Sequence, residues 1–419
     1  MKFSTIIIGG GLSGLTAGIT LAEQGQRVAV LAAGQSRLHF TSGSMELLGY
    51  NAKGEQVDCP LDECRSLPAS HPYQKIGVEN LASYAQMAKK LFANAGIEVV
   101  GYETMNHIRL SPIGVLKPAW LTLGDYITAN MARQFPFQSV LIANIAGYID
   151  MPTPFLKSAF EKCGVKCRVV EVKTPMLENL RRSQTEMRAT NIARVLSEQS
   201  AVDQLSVEIN RSVNREQAIL IPAVMGITDN SIVQYLRRMV TRPLFCIATL
   251  PPAVTGVRLQ SRLRKYFLSL GGTYMLGSTV REANISSGKI LSVAAANLPD
   301  QKLKANNYIL ATGSFMGNGL IATQSGVIEP IMNLDVDAPL DRELWTAENL
   351  NESQPYMEFG VKTALGLHPS IDGKTITNLW AVGAVLSGHN PIKLADSSGV
   401  DMLTALHAAT EIIQTEKNR

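Results

Sequence analysis

The chain has 419 residues, of which 46% are hydrophobic and 18% are charged, so its composition supports a large buried core and excludes wholesale disorder. This length exceeds that of one ordinary domain and predicts two. The 39 Lys and Arg against 35 Asp and Glu leave a net charge of +4 without a concentrated basic tail, which argues against a dedicated nucleic-acid-binding protein. Five cysteines do not suggest a disulfide framework, so we expect a reducing compartment.

The amino-terminal residues carry a dinucleotide-binding pattern. Residues 3–8 are a β-branched run typical of a buried parallel strand, residues 15–24 predict a helix, and residues 27–31 predict a second strand. Residues 9–14 read Gly-Gly-Gly-Leu-Ser-Gly between the first strand and the helix, which is the context that a G-x-G-x-x-G pattern needs.

The glycines have separate expected roles. Gly9 permits a tight turn, Gly11 lets the backbone approach a phosphate, and Gly14 lets helix and strand pack closely. The free amides of the helix start would face the anion. We therefore predict cofactor contacts at Gly9, Gly10, Gly11, Ser13 and Gly14.

The same segment has no charged residue between Lys2 and Glu23, as a signal peptide or a membrane helix would. Three consecutive glycines would break such a helix, so we favour the turn. We find no other apolar stretch long enough to span a bilayer, so any membrane association is expected to be peripheral.

The end of the second strand reads Leu31-Ala32-Ala33-Gly34-Gln35 and lacks the acidic residue that would bind an adenosine ribose. Three explanations stay open. The ligand lacks this ribose, as FMN does; it is FAD held without that contact; or the site is degenerate and empty.

Later segments add further candidate contacts. Thr41 to Ser44 looks like a loop that opens a helix, where the serines cap the helix or face an anion. Two buried strands end in glycine, and another helix begins near residue 400. We predict cofactor contacts at Ala32, Ser42, Gly43, Ser44, Thr312, Gly313, Gly383, Ala384, Ser398, Gly399 and Val400.

Helices and strands alternate again in the middle of the chain. We predict an α/β fold in which a Rossmann-like FAD/NAD(P)-binding domain, residues 1–104 and 256–419, contains an inserted α/β domain at residues 105–255. The inserted domain has no second phosphate pattern.

Several stretches carry a family resemblance. GGGLSGL, YILATGS and NLWAVGA are similar to flavoproteins with two dinucleotide-binding domains, and HFTSGSMELL, IPAVMGITD and LATGSFMGNGLI resemble the B subunits of the anaerobic glycerol-3-phosphate dehydrogenase family. The resemblance implies an FMN cofactor, with FAD as the alternative.

The resemblance also implies a complex that oxidises sn-glycerol 3-phosphate to dihydroxyacetone phosphate. Its partners would be an FAD-containing A subunit and an iron–sulfur C subunit that anchors the complex to the membrane. Electrons would pass to menaquinone, with fumarate or nitrate as terminal acceptor. The chain would be cytoplasmic and peripheral on the inner face of the cytoplasmic membrane.

Two other functions stay open. Ala384 stands where wider flavoprotein relatives have an acid, and only Gly399 precedes the last helix, so the chain could be a scaffold subunit with an empty site. It could also be a self-sufficient FAD oxidoreductase that acts on another substrate, because fold does not fix function.

Substrate oxidation needs a base for the hydroxyl proton and a cation for the phosphate. His39 and Arg258 are the candidates; the alternatives are a hydrogen-bonded loop histidine and a solvated or subunit-contact arginine. The cysteine and histidine spacings match neither iron–sulfur nor zinc sites, so we expect no metal in this chain.

Overall fold

The β-branched run near the amino terminus forms the strand Lys2–Ile8 in the computed structural model, which describes residues 2–182, 186–298 and 301–418. This strand pairs in parallel with Val28–Ala32 on one side and with Lys302–Leu310 on the other. Residues 5–8 are buried, because both faces of a parallel strand are covered. The strand is therefore central in its sheet, as the sequence predicts.

The carboxyl ends of the parallel strands meet at one edge of this sheet. Ile8 is level with Leu31 and with Leu310, and Leu310 is level with Ala381. The turns that follow these strands are therefore neighbours. The strand order is Thr273–Leu276, Val28–Ala32, Lys2–Ile8, Lys302–Leu310, Lys289–Ala295 and Val280–Ser286, with Leu379–Ala381 also paired to Lys302–Leu310.

Two helices of this part of the chain pack against each other: Leu12–Ala22, which follows the first strand, and Ser397–Lys417. Every residue of Leu12–Ala22 is buried, so this helix has no solvent-exposed face. Gly18 lets it approach the sheet, because an added Cβ would lie 3.3 Å from the Val30 side chain. Further helices here are Pro60–Glu63, Pro72–Lys75 and Leu81–Asn94.

The chain divides into two compact units. The first consists of Met1–Arg37, Glu46–Gly96 and Leu263–Arg419, and the second of Leu38–Met45 and Ile97–Arg262. Residues 38–45, 97–104 and 256–262, which the sequence places in the first domain, fall in the second unit.

The second unit contains a parallel sheet with the order Lys166–Val172, Ser139–Ile145, Ala218–Pro222 and Leu244–Ile247. The predicted alternation of strands and helices in the middle of the chain is thus present, and the predicted α/β fold class is confirmed. The helix Gln199–Ser212 was not predicted. The helices are Thr153–Lys162, Pro175–Glu178, Ala189–Val195, Gln199–Ser212, Ser231–Met239 and, continuing into the first unit, Val254–Ser269.

Short strands complete both units. In the second unit they form two small sheets: Ser44–Met45 with Leu121–Leu123 and Val99–Val100, and Leu116–Ala119 with His107–Leu110 and Thr128–Ala129. In the first unit they form pairs: Ile321–Ala322 with Val327–Ile328, Val336–Asp337 with Gly360–Val361, and Ser370–Ile371 with Lys374–Thr375. Within the described ranges, no helix combines the length and apolar character that crossing a membrane requires.

Candidate functional site

The glycine turn, residues 9–14, links the first strand to the first helix. Gly9 has φ of 122°, and an added Cβ would lie 2.0 Å from the carbonyl oxygen of Ala311. A Cβ on Gly14 would lie 1.9 Å from the carbonyl oxygen of Gly9. Both positions therefore require glycine because the backbone passes too closely for any side chain.

Gly11 differs, because the nearest atom to an added Cβ is the Ser36 Cβ at 3.9 Å. Gly11 precedes the helix Leu12–Ala22, and no side chain caps that helix start. Within the described residues, the backbone amides of residues 10–14 donate no hydrogen bond. The glycine turn thus offers open donors and open space, as anion binding at a helix start requires.

The strand end at Ala32, where an acidic residue is absent, lies beside Tyr274. The Tyr274 hydroxyl donates to the carbonyl oxygen of Gly10 at 3.3 Å, and the Arg264 guanidinium lies 5.0 Å from the Tyr274 ring centroid. A Cβ on Gly10 would meet the Tyr274 oxygen at 2.2 Å and the Ala32 Cβ at 2.6 Å. Tyr274 is thus a polar neighbour of the glycine turn that the sequence analysis missed.

Thr312 and Gly313 follow the strand Lys302–Leu310 at the same sheet edge. The Thr312 hydroxyl oxygen is buried and has no hydrogen-bond partner. Gly313 has φ of 80°, and no atom lies closer than 3.9 Å to an added Cβ. Next to them, Arg37 Nη1 donates to Ser314 Oγ at 3.4 Å. An unpartnered hydroxyl beside an open turn indicates a place for a polar ligand atom.

Three of the predicted residues meet at a carboxylate that the sequence analysis missed, Asp401. Asp401 Oδ1 accepts from the Ser13 hydroxyl at 2.8 Å and from the Ala384 amide at 3.1 Å. Gly383 has φ of 73°, and its Cβ would meet Ser13 Oγ at 2.1 Å. Ser13 and Asp401 are 388 residues apart, so no local sequence pattern could have joined them.

Burial raises the pKa of Asp401, although the hydrogen bond from Ser13 and the positive charge of Arg37 act in the opposite direction. A carboxylate in this environment is short of hydrogen-bond donors. Its second oxygen, Oδ2, accepts no hydrogen bond from the part of the chain that the structure describes.

The start of the helix Ser397–Lys417 is already engaged within the chain. The Gly399 amide donates to the carbonyl oxygen of Glu46 at 2.7 Å, and the Val400 amide donates to that of Asp396 at 2.9 Å. Ser398 Oγ donates to Glu46 Oε2 at 3.4 Å. The structure thus uses two of the three predicted contact amides, those of Gly399 and Val400, in its own backbone.

Asp396, the residue before that helix, is fully buried between two histidines. Its Oδ2 lies 3.0 Å from His71 Nε2, and its Oδ1 lies 3.3 Å from His389 Nδ1. The Tyr73 amide donates to His71 Nδ1, so His71 carries its proton on Nε2 and is neutral. Both oxygens of Asp396 are therefore satisfied by the protein.

Ser42, Gly43 and Ser44 do not open a helix, so that prediction was wrong. Ser44 begins the strand Ser44–Met45, and its hydroxyl accepts from Thr122 Oγ1 at 2.8 Å. Gly43 has φ of 84°, and its Cβ would meet the Tyr126 ring at 2.7 Å. Ser42 lies in the loop before it. These residues belong to the second unit, where strand pairing and ring packing explain Gly43 and Ser44.

His39 is half-buried in the second unit, on the short 3₁₀ helix Arg37–Phe40. Burial lowers the pKa of His39, while a hydrogen bond with Gln260 partly offsets this. The Ala253 amide donates to the His39 carbonyl oxygen at 2.9 Å. The imidazole is therefore neutral near pH 7 and chemically able to accept a proton.

Arg258 is buried, so the expectation of a solvated arginine was wrong. The side chain is 9% exposed and pairs with Asp125, with 2.5 Å between Nη2 and Oδ2. Its Nη1 donates to the Met225 carbonyl oxygen at 3.5 Å. The guanidinium is committed to this buried ion pair, which does not favour a role in binding substrate phosphate.

The cysteines, Cys59, Cys64, Cys163, Cys167 and Cys246, are all free thiols. Burial raises the pKa of the Cys64 and Cys246 thiols well above the usual value. Among the described residues, no group of three or more His, Cys, Asp or Glu side chains is placed to hold a metal ion.

Comparison with known proteins adds family relationships. The family described as FAD binding domain matches residues 4–400. The B subunit of the anaerobic glycerol-3-phosphate dehydrogenase from Pectobacterium atrosepticum is 38% identical over 417 residues, covering 99% of this chain and 99% of its own. The protein of the same name from Glaesserella parasuis is 34% identical and covers 99% of this chain and 100% of its own.

Among solved structures, 3-ketosteroid delta1-dehydrogenase from Sterolibacterium denitrificans covers 99% of this chain and 100% of its own, at 11% identity and a TM-score of 0.45. The family match concerns FAD. It does not support the prediction of FMN as the main cofactor, which depended on the missing carboxylate at Ala32 and on the resemblance.

Proposed function

The chain belongs to the FAD binding domain family and to the family of anaerobic glycerol-3-phosphate dehydrogenase B subunits, and from this premise we propose that it binds FAD as a subunit of such a dehydrogenase. The observation that carries the proposal is the glycine turn, with its unused amides at residues 10–14 and the open space at Gly11. FAD contains a pyrophosphate, the group that such a helix start binds.

The residues at the carboxyl edge of the first sheet fit this cofactor. Open amides suit its pyrophosphate, and the unpartnered Thr312 hydroxyl suits a polar atom further along it. When bound, FAD would supply a two-electron acceptor that can return its electrons one at a time. We assign the contacts to Gly9, Gly10, Gly11, Ser13, Gly14, Ala32, Thr312, Gly313, Gly383 and Ala384.

We further propose that the complex oxidises sn-glycerol 3-phosphate to dihydroxyacetone phosphate. This oxidation removes a hydride from the carbinol carbon and a proton from its hydroxyl group; FAD, when bound, would supply the two-electron acceptor, and a base of the protein would take the proton. His39 is our candidate base because its imidazole is neutral near pH 7. Replacing His39 with Asn should lower kcat and remove the acid limb of the pH profile.

The rest of the electron route is part of the same proposal. An A subunit with FAD and an iron–sulfur C subunit would complete the complex, and menaquinone would receive the electrons. Membrane association would come through these partners, on the inner face of the cytoplasmic membrane. Purification of the complex with its partners, followed by quinone reduction assays, tests this route.

The central test is FAD binding by the full chain, which is measured by the quenching of FAD fluorescence. Gly11→Val places a side chain in the open space of the glycine turn and should weaken binding at least about 100-fold, or roughly 2.8 kcal/mol. Ala82→Val introduces the same side chain on an exposed helix face and is the control. Unchanged affinity in Gly11→Val would refute this placement of the pyrophosphate.

A scaffold subunit without cofactor is the second candidate. Two observations favour it: the Gly399 amide already donates to the carbonyl oxygen of Glu46 and is not available to a cofactor, and Ala384 has no carboxylate. The same measurement separates the two functions, because a scaffold would bind no FAD as wild type, alone or with its partner subunits.

A further inference from the structure

We propose that Asp401 holds the polyol chain of the flavin, with Oδ2 accepting a hydrogen bond from a ribityl hydroxyl. This inference rests on the proposed function, since it concerns the same cofactor. It adds a residue outside the sequence-predicted set and assigns that residue to one part of the ligand.

The position of the carboxylate is fixed by the protein. Ser13 and Ala384 both donate to Oδ1, at 2.8 and 3.1 Å, and so hold the side chain from two separate parts of the first unit. Gly383 leaves the space that this arrangement needs, because a Cβ there would lie 2.5 Å from Oδ1. The described chain provides Oδ2 with no donor, so this oxygen is available to a ligand.

The surroundings of Asp401 decide which part of the flavin it meets. Ser13, which donates to Asp401, stands in the first turn of the helix whose open amides suit the pyrophosphate. A carboxylate repels phosphate but accepts strongly from hydroxyls. The polyol chain is covalently next to the pyrophosphate and rich in hydroxyls. The other neighbouring sugar, the adenosine ribose, is expected at the end of Val28–Ala32 instead.

The arrangement also accounts for the missing acid at Ala384. The amide of Ala384 donates to Asp401, so a carboxylate from the last helix lies beside the turn that lacks its own. Burial raises the pKa of Asp401, and a ligand hydroxyl would supply a donor that this desolvated group lacks.

The test compares two ligands on the full chain: FAD, and ADP, which has the phosphates and adenosine but no polyol. Asp401→Asn keeps an oxygen for Ser13 and Ala384 but removes the charge. We expect FAD affinity to fall about 10- to 100-fold, because a hydrogen bond to a charged group is lost. ADP affinity should stay within about 2-fold. Asp58→Asn, an exposed residue of the same unit, is the charge-matched control.

The outcomes separate this inference from the proposed function. Gly11→Val should weaken both FAD and ADP, whereas Asp401→Asn should weaken FAD alone. Equal FAD affinity in wild type and Asp401→Asn overturns the inference and leaves the proposed function standing. A parallel loss of FAD and ADP also overturns it, since Asp401 would then act only by ordering the glycine turn through Ser13. No FAD binding by wild type overturns both proposals.

A second measurement keeps the proposal testable if Asp401→Asn does not fold. Wild type is titrated with FAD analogues that lack single ribityl hydroxyls. At least one analogue should bind about 10-fold or more weakly than FAD. Equal affinity for all of them overturns the assignment.

Discussion

Two of the helices whose starts the sequence predicts to face a ligand begin in opposite ways. At Leu12–Ala22 the preceding amides are unused, and the helix start has neither a capping side chain nor an acidic residue. At Ser397–Lys417 the Gly399 amide is bound to Glu46, and the preceding Asp396 is enclosed by two histidines. The first start is thus left open for an anion, and the second is largely closed by the protein.

The glycines at the two starts show the same contrast. A Cβ on Gly11 would have 3.9 Å to its nearest neighbour, whereas a Cβ on Gly399 would lie 2.1 Å from the Tyr73 hydroxyl oxygen. Glycine before a helix therefore has two causes, ligand approach and internal packing, that are identical in sequence. The structure distinguishes them by the space that surrounds each glycine.

The largest expected effect on stability comes from removing the carboxylate of Asp396, which precedes the helix Ser397–Lys417. Asp396→Ala leaves His71 and His389 buried without their shared acceptor, so we expect the free energy of unfolding to fall by about 3–5 kcal/mol. Urea unfolding measures this loss. Asp58→Ala, at an exposed position, is the control and should change stability by less than about 0.5 kcal/mol. A loss below about 1 kcal/mol for Asp396→Ala would show that the cluster does not hold this helix start.

A smaller contrast is expected between alanines placed at the two glycines. Gly399→Ala forces its Cβ onto Tyr73 and Leu47 and should cost about 1–3 kcal/mol of unfolding free energy. Gly11→Ala meets nothing within 3.9 Å and should stay within about 1 kcal/mol of wild type. Urea unfolding of both variants, without ligand, checks this. Equal losses would remove the distinction between an open and a packed glycine.

Most regular elements of the fold could be predicted because their signals are local. The β-branched run at residues 3–8 and the alternation between residues 139 and 250 depend on hydrophobic periodicity, which reflects burial directly. The segment at residues 41–44 was mispredicted because Ser, Thr and Gly favour helix caps and turns alike, and its pairing with Leu121–Leu123 is not local.

The site was predictable only in part for the same reason. The glycine turn has a local pattern, but the partners of Asp401 come from both ends of the chain. Arg258 shows the opposite error, since a charged residue on a predicted helix suggested solvent or substrate, whereas Asp125 makes its burial possible. The missing acid at Ala32 could not identify the cofactor, because the absence of one contact is compatible with several ligands.

The smallest expected effect is a pH dependence of the stability that the pair of His389 and Asp396 gives to the start of the helix Ser397–Lys417. Burial alone would lower the pKa of His389, but the charge and hydrogen bond of Asp396, with Asp401 and Glu358, raise it above the usual value. A raised pKa means that the stabilisation is complete below about pH 6.5 and is lost as the pH rises through the folded-state pKa. The neighbouring His71 has a lowered pKa, caused mainly by burial, so it adds nothing on the alkaline side.

We therefore expect the unfolding free energy of wild type to decline as the pH rises above about 6.5, and His389→Asn to flatten that decline. Urea unfolding across this range measures both slopes. His107→Asn is the control, because burial lowers the pKa of His107 to about 4 and this residue does not titrate in the range. If His389→Asn keeps the wild-type slope, Asp396 does not hold a charged histidine, and the closed start is stabilised by packing and neutral hydrogen bonds alone.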